Sequence, residues 1–115
     1  MKRAALFAFN GESMCFVHVL LNALDMHERG YEIKIVFEGA ATKLIIDLSA
    51  GNSVGSDLYR KAKSLGLFEG TCKACSTKMG ALDAAKTEGL RLLDEMKGHA
   101  SMAEFIEQGF EVITL

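Results

Sequence analysis

The side chains best suited to chemistry in this sequence are two cysteines three residues apart, Cys72 and Cys75. Such a pair occurs in dithiol redox motifs, in zinc sites and beside nucleophilic thiols. A thioredoxin-like motif is disfavoured, because such sites rely on a cis-proline and the chain contains no proline. A zinc site needs further ligands, and the chain offers four scattered candidates: Cys15, His18, His27 and His99.

Cys75 is the candidate nucleophile. A helix predicted to begin at Ser76 would place unpaired backbone N–H groups beside its sulfur, which favours a thiolate. A persulfide or sulfenate on Cys75 could then be attacked by Cys72. If Cys72 lies within a strand, residues three apart point to opposite faces, and that geometry would prevent the attack. The alternative is that Cys75 is a buried cysteine that acts as a small hydrophobe.

The elements that must position these thiols alternate between short apolar runs and helical patterns, with glycine at most junctions. Strands are predicted at residues 2–9, 31–37, 71–74, 90–93 and 110–115. Helices are predicted at residues 13–29, 40–49, 56–65 and 76–89, the last disturbed at Gly80, and a capping box at Ser101 opens a further helix that Gly109 closes. Repeated βα units in a single domain of residues 1–115 predict an α/β fold, with a parallel sheet covered by helices on both faces.

The carboxyl ends of parallel strands are where an α/β sheet gathers its ligands and its chemistry. Besides Cys75, the residues expected at this edge are candidate binding residues: Asn10, Glu12, Cys15, Glu38 and His99. Each also has a structural explanation, since polar side chains collect in loops and a cysteine often packs in the core.

Composition excludes several classes of protein. The net charge is −2 and no block of basic residues occurs, so no nucleic-acid partner is expected. The longest apolar stretch, residues 14–26, is interrupted by polar residues and is shorter than the ~20 apolar residues that a membrane span needs. The number of cysteines is odd, and no small-residue signal-peptide cleavage site follows the first apolar run. Both features predict that the protein is located in the reducing cytoplasm. The very apolar first helix predicts self-association, and no cofactor is predicted.

Several segments together resemble the DsrE-like family of small sulfur-relay and related cytoplasmic proteins. They span nearly the whole chain: Leu6-Phe7-Ala8-Phe9-Asn10-Gly11, the apolar first helix, Val36-Phe37-Glu38-Gly39-Ala40, Gly70-Thr71-Cys72-Lys73-Ala74-Cys75-Ser76, Gly98-His99 and the closing Phe110-Glu111-Val112-Ile113-Thr114-Leu115.

The resemblance implies a three-layer α/β/α sandwich with a mainly parallel five-stranded sheet that assembles as a homotrimer or hexamer. It also implies that a cysteine at the end of the middle strand, here Cys75, receives a persulfide from a donor protein and passes it to an acceptor. Cys72, Glu38 and His99 depart from the sulfur-relay signature. The expected function is therefore that of a cytoplasmic sulfur carrier or sulfurtransferase using Cys75 and Cys72. The alternative is a non-enzymatic oligomeric module that binds a small molecule or a metal around Asn10, Glu38 and His99.

Overall fold

A computed structural model describes residues 2–115 as five strands and six α-helices. The strands are β1 (Arg3–Ala8), β2 (Glu32–Phe37), β3 (Phe68–Cys72), β4 (Leu92–Leu93) and β5 (Glu111–Thr114). The helices are α1 (Ser13–Glu28), α2 (Leu44–Ala50), α3 (Ser56–Ser64), α4 (Lys73–Lys78), α5 (Leu82–Thr87) and α6 (Met102–Glu107), and a 3₁₀ turn at Gly39–Lys43 precedes α2.

The five strands form one all-parallel sheet in the order β4-β3-β2-β1-β5. β1 is an interior strand, with Leu6 opposite Ile35 of β2 on one side and Ile113 of β5 on the other. This arrangement confirms the predicted α/β class with a parallel five-stranded sheet.

β1 is buried on both sides of the sheet, which explains its continuous apolar sequence. Leu6 joins a large core cluster that includes apolar side chains of α1, α2, α3 and α5. Phe7 joins a second, smaller cluster and packs edge-on against Phe105 of α6, with 5.3 Å between ring centroids. Because successive side chains of a strand point to opposite faces, the sheet carries helices on both faces.

β3 begins and ends earlier than the predicted residues 71–74, and this moves Cys72 to the carboxyl end of the strand. Its sequence contains a glutamate and a glycine, so the apolar pattern that marks a strand is weak. Phe68 is held by stacking on Phe37, with 5.3 Å between their centroids, and Gly70 lets β3 approach the backbone at Arg91.

Two helix predictions also need correction. The single helix predicted at residues 76–89 is two helices, α4 and α5, because Gly80 takes a φ of +74° and ends the first. In the described chain, the Ser101 side chain makes no capping hydrogen bond at the start of α6, although Ser101 does occupy the N-cap position. No helix within residues 2–115 combines the length and the apolar character needed to cross a membrane.

Replacement of Gly70 by alanine should destabilise the edge of the sheet, because the new Cβ would lie 2.2 Å from the Arg91 carbonyl oxygen. The backbone at Arg91, just before β4, would have to move, and we expect a loss of about 1–3 kcal/mol in the free energy of unfolding, measured by urea denaturation. Gly55→Ala is the control, since its Cβ would meet Leu48 and Val17 at an ordinary 3.4 Å. Equal stability of the two variants would contradict the role assigned to Gly70.

Candidate functional site

The two cysteines of the pair lie at the junction of β3 and α4. Cys72 is the last residue of β3 and the N-cap of α4, and its side chain is fully buried. Its sulfur accepts a hydrogen bond from the backbone N–H of Cys75, with 3.5 Å between nitrogen and sulfur. Cys75 lies in the first turn of α4 and is partly exposed. The turn from strand to helix therefore places one thiol inside the protein and the other at its surface.

His99 reaches these thiols from the segment that follows β4. This segment folds back on itself, with the backbone N–H of His99 donating to the carbonyl oxygen of Met96 at 2.9 Å. Lys97 and Gly98 both take positive φ angles, of 51° and 91°, which turn the chain toward α4. The backbone N–H of Ala74 then donates to the Gly98 carbonyl oxygen at 2.9 Å and fixes the turn against the start of α4.

The imidazole of His99 faces both sulfurs. Its Nδ1 lies 3.2 Å from Cys72 Sγ and 3.7 Å from Cys75 Sγ, and the three atoms are within 4.8 Å of one another. The opposite-face geometry considered for two cysteines of one strand does not apply, because only Cys72 belongs to the strand and Cys75 is helical. Both thiols share one histidine nitrogen as a hydrogen-bond partner.

Burial governs the protonation of Cys72. Desolvation, reinforced by a side-chain hydrogen bond with Cys75, raises the pKa of Cys72 to about 11. Cys72 is therefore a neutral thiol at neutral pH. This makes it a poor nucleophile, since the thiolate is the reactive form.

Glu38 follows β2 directly and is buried, with 7% of its surface exposed. Desolvation raises the pKa of Glu38, and the neighbouring His99, the Cys72 side chain and the Ala100 backbone oppose the rise. Its Oε1 atom has no hydrogen-bond partner within residues 2–115. Glu38 and His99 also line a common cavity of about 300 Å³. The structure therefore brings Glu38, His99 and the Cys-x-x-Cys pair to one site.

The three remaining candidates, Asn10, Glu12 and Cys15, lie elsewhere. Asn10 and Cys15 line a separate cavity of about 260 Å³ beside Leu115. The Asn10 side-chain oxygen accepts a hydrogen bond from the Glu12 backbone N–H at 2.8 Å, so this amide stabilises its own turn. Glu12 is the exposed N-cap residue of α1, and its side chain makes no cap hydrogen bond in the described structure.

Sequence reasoning missed a buried threonine that supports the site. The Thr42 hydroxyl donates to the carbonyl oxygen of Gly39 at 2.8 Å and lies 3.3 Å from that of Cys75. It links the turn after β2 to α4, and thus the segment that carries Glu38 to the segment that carries Cys75. Nothing in the local sequence distinguishes Thr42 from an ordinary helical residue.

Comparison with known proteins finds two archaeal relatives. An uncharacterised protein of Archaeoglobus fulgidus is 40% identical over 53 residues, which cover 46% of this chain and 87% of that protein. The chain belongs to the same family as the Archaeoglobus fulgidus protein. The uncharacterised protein MJ0733 of Methanocaldococcus jannaschii is 29% identical over 99 residues, covering 86% of this chain and 78% of that protein. No family model matches the chain. No solved structure matches it significantly.

Glu38→Gln should stabilise the protein at neutral pH, because it removes a buried carboxyl group whose ionisation burial disfavours. The pKa of Glu38 is raised in the folded state, so the unfolded chain loses this proton first. Stability is then lost as pH rises from the ordinary glutamate range through the folded pKa. Urea denaturation between pH 4 and pH 7, roughly the range above an ordinary glutamate pKa, should show a flatter pH dependence for Glu38→Gln than for the wild type.

Glu28→Gln, which changes an exposed carboxylate on α1, serves as the control and should keep the wild-type pH dependence. If Glu38→Gln followed the wild-type curve at every pH, the electrostatic role assigned to Glu38 would be incorrect.

Proposed function

We propose that this protein is a cytoplasmic sulfur carrier that holds sulfane sulfur as a persulfide on Cys75. The observation that carries the proposal is the pairing of a partly exposed thiol with an imidazole, 3.7 Å from Cys75 Sγ to His99 Nδ1. A nucleophilic sulfur needs a nearby base to take its proton, and this pair supplies both. The resemblance of residues 70–76 to the sulfur-relay family supports sulfane sulfur as the cargo.

The loading step is a thiol exchange with no net oxidation. His99 accepts the thiol proton, and Cys75 Sγ attacks the outer sulfur of a donor persulfide. A bond forms between Cys75 Sγ and that sulfur while the sulfur–sulfur bond of the donor breaks. The electron pair leaves with the donor thiolate, which takes up the proton from His99. Delivery is the same exchange in reverse, with an acceptor thiolate attacking the outer sulfur of the Cys75 persulfide.

Cys72 protects the loaded sulfur by staying protonated. An attack by Cys72 on Cys75 Sγ would form a Cys72–Cys75 disulfide and release the cargo as hydrogen sulfide. The raised pKa of Cys72, about 11, makes the attacking thiolate scarce at neutral pH. The buried thiol can therefore lie close to the carrier cysteine without discharging it.

Intact-mass measurement tests the carrier role. Reduced protein incubated with a small-molecule persulfide should gain the mass of one sulfur atom, and Cys75→Ser should abolish this gain. His99→Ala should slow loading at least about 100-fold, the usual contribution of a positioned base. Cys15→Ser is the matched control, because Cys15 is exposed and lies outside the cluster, and it should leave loading at Cys75 unchanged.

Cys72→Ser should load at the wild-type rate, since its sulfur is not the acceptor. A wild-type protein that gains no sulfur mass, or a Cys75→Ser variant that still gains as much as wild type, would overturn the carrier proposal.

Self-association through α1 is part of the proposal. Met14 and Leu21 of α1 are 57% and 46% exposed, although both are large and apolar. An apolar helix face of this kind is stabilised when a second copy covers it. Such an assembly agrees with the homotrimer or hexamer that the family resemblance implies.

A charge on the exposed face of α1 should dissociate this assembly. Light scattering at micromolar concentration should give an oligomeric mass for the wild type and a lower mass for Leu21→Glu. Val54→Glu changes another exposed apolar residue, 71% exposed and outside α1, and should leave the mass unchanged. A monomeric wild type would contradict the proposed assembly.

A further inference from the structure

We propose that Cys72, Cys75 and His99 form a three-ligand binding site for a borderline-soft divalent cation, with Zn²⁺ as the natural occupant. Two sulfurs and an imidazole nitrogen are the donors that Zn²⁺ prefers, whereas Mg²⁺ and Ca²⁺ take oxygen donors. The inference stands on the geometry of the three side chains and does not depend on the sulfur-carrier proposal.

The spacing of the three donor atoms fits one tetrahedral cation. With Zn–S bonds of about 2.3 Å and a Zn–N bond of about 2.0 Å, the edge between a sulfur and a nitrogen ligand is about 3.5 Å. The two sulfur-to-Nδ1 distances, 3.2 Å to Cys72 and 3.7 Å to Cys75, lie on either side of that value. These two edges can therefore fit a cation with shifts of a few tenths of an ångström, and the third edge, between the two sulfurs, is no longer than 4.8 Å.

The backbone holds this arrangement before any cation arrives. The Cys75 N–H points at Cys72 Sγ, so the turn after β3 already curls around the first sulfur. The hydrogen bond from Ala74 to Gly98 fixes the histidine-bearing turn against α4. Ligands held in this way lose less conformational entropy on binding than ligands on separate mobile loops.

Glu38 gives an independent indication that a polar group belongs here. Its carboxyl is more than nine-tenths buried beside Cys72 and His99, and its Oε1 atom lacks a partner in the described chain. Buried polar atoms nearly always have a partner, whether protein, water or ion. Three protein ligands leave the fourth position of a tetrahedron open, and a water bound there could donate to this carboxyl.

Cation binding and persulfide formation exclude each other, because both use the lone pairs of Cys75 Sγ. Both thiols must lose their protons to solvent for the cation to bind. Two thiolates then balance its double positive charge. Zn²⁺ would consequently protect Cys75 from alkylation or sulfuration until the cation is removed.

Titration of the reduced, metal-free protein with Co²⁺ tests the site, because thiolate-to-cobalt charge transfer gives near-ultraviolet absorption that reports sulfur ligation. We expect one equivalent to bind per chain and Zn²⁺ to displace it. His99→Ala and Cys75→Ser should each weaken binding by at least about 10–100-fold, the loss found when even an outer-shell partner is removed. Cys15→Ser, which removes an exposed thiol outside the cluster, should bind as the wild type does.

Thermal unfolding keeps the test independent of any folding defect. Zn²⁺ should raise the melting temperature of the wild type and of Cys15→Ser, because it binds the folded state, and should leave His99→Ala unchanged. A wild type that binds no Co²⁺, or a Cys15→Ser variant that loses the absorption together with His99→Ala, would overturn the metal site. Neither result would bear on sulfur loading, which is measured without metal.

Discussion

One backbone hydrogen bond, from the N–H of Ala74 to the carbonyl oxygen of Gly98, holds together the two segments on which the site depends. The cysteines belong to the β3–α4 junction, whereas His99 belongs to the turn after β4. β3 and β4 pair through only two residue positions, so the sheet alone is a short support. The Ala74–Gly98 bond extends this pairing past the strand ends. His99 can reach both sulfurs because its turn is fixed to the first turn of α4.

The location of the cluster is unusual for a parallel sheet. Ligands in open α/β sheets gather at the point where the strand order reverses, which here lies between β1 and β5. The cavity lined by Asn10, Cys15 and Leu115 occupies that position. The Cys72–Cys75–His99 cluster lies instead at the carboxyl ends of β3 and the edge strand β4. An edge strand leaves its following turn free of neighbours on one side, which gives the turn room to fold over the thiols.

The sequence was sufficient to predict the sheet and the edge at which the chemistry collects, but not the side-chain geometry. β1 could be predicted because burial on both sides demands a continuous apolar run, and β2 because its apolar side chains alternate with more polar ones. β3 could not be placed correctly, because Gly70 satisfies a close backbone approach and gives no hydrophobic signal. The strand ends at Cys72, two residues before the predicted end, so the alternation of a strand does not set the direction of Cys75. The orientation of Cys72 relative to Cys75 therefore required the structure.

The contrast between the two thiols underlies both proposals for this cluster. Cys72 is enclosed and protonated, so it contributes no competing nucleophile while Cys75 remains accessible to a partner. His99 takes part in both proposed kinds of chemistry, because its Nδ1 can either accept the Cys75 proton or ligate a cation. Persulfide formation requires only one sulfur, which must be accessible to the donor. The proposed cation site requires both sulfurs at once. Under the two proposals, a sulfur donor and a metal ion therefore compete for the same atom, Cys75 Sγ.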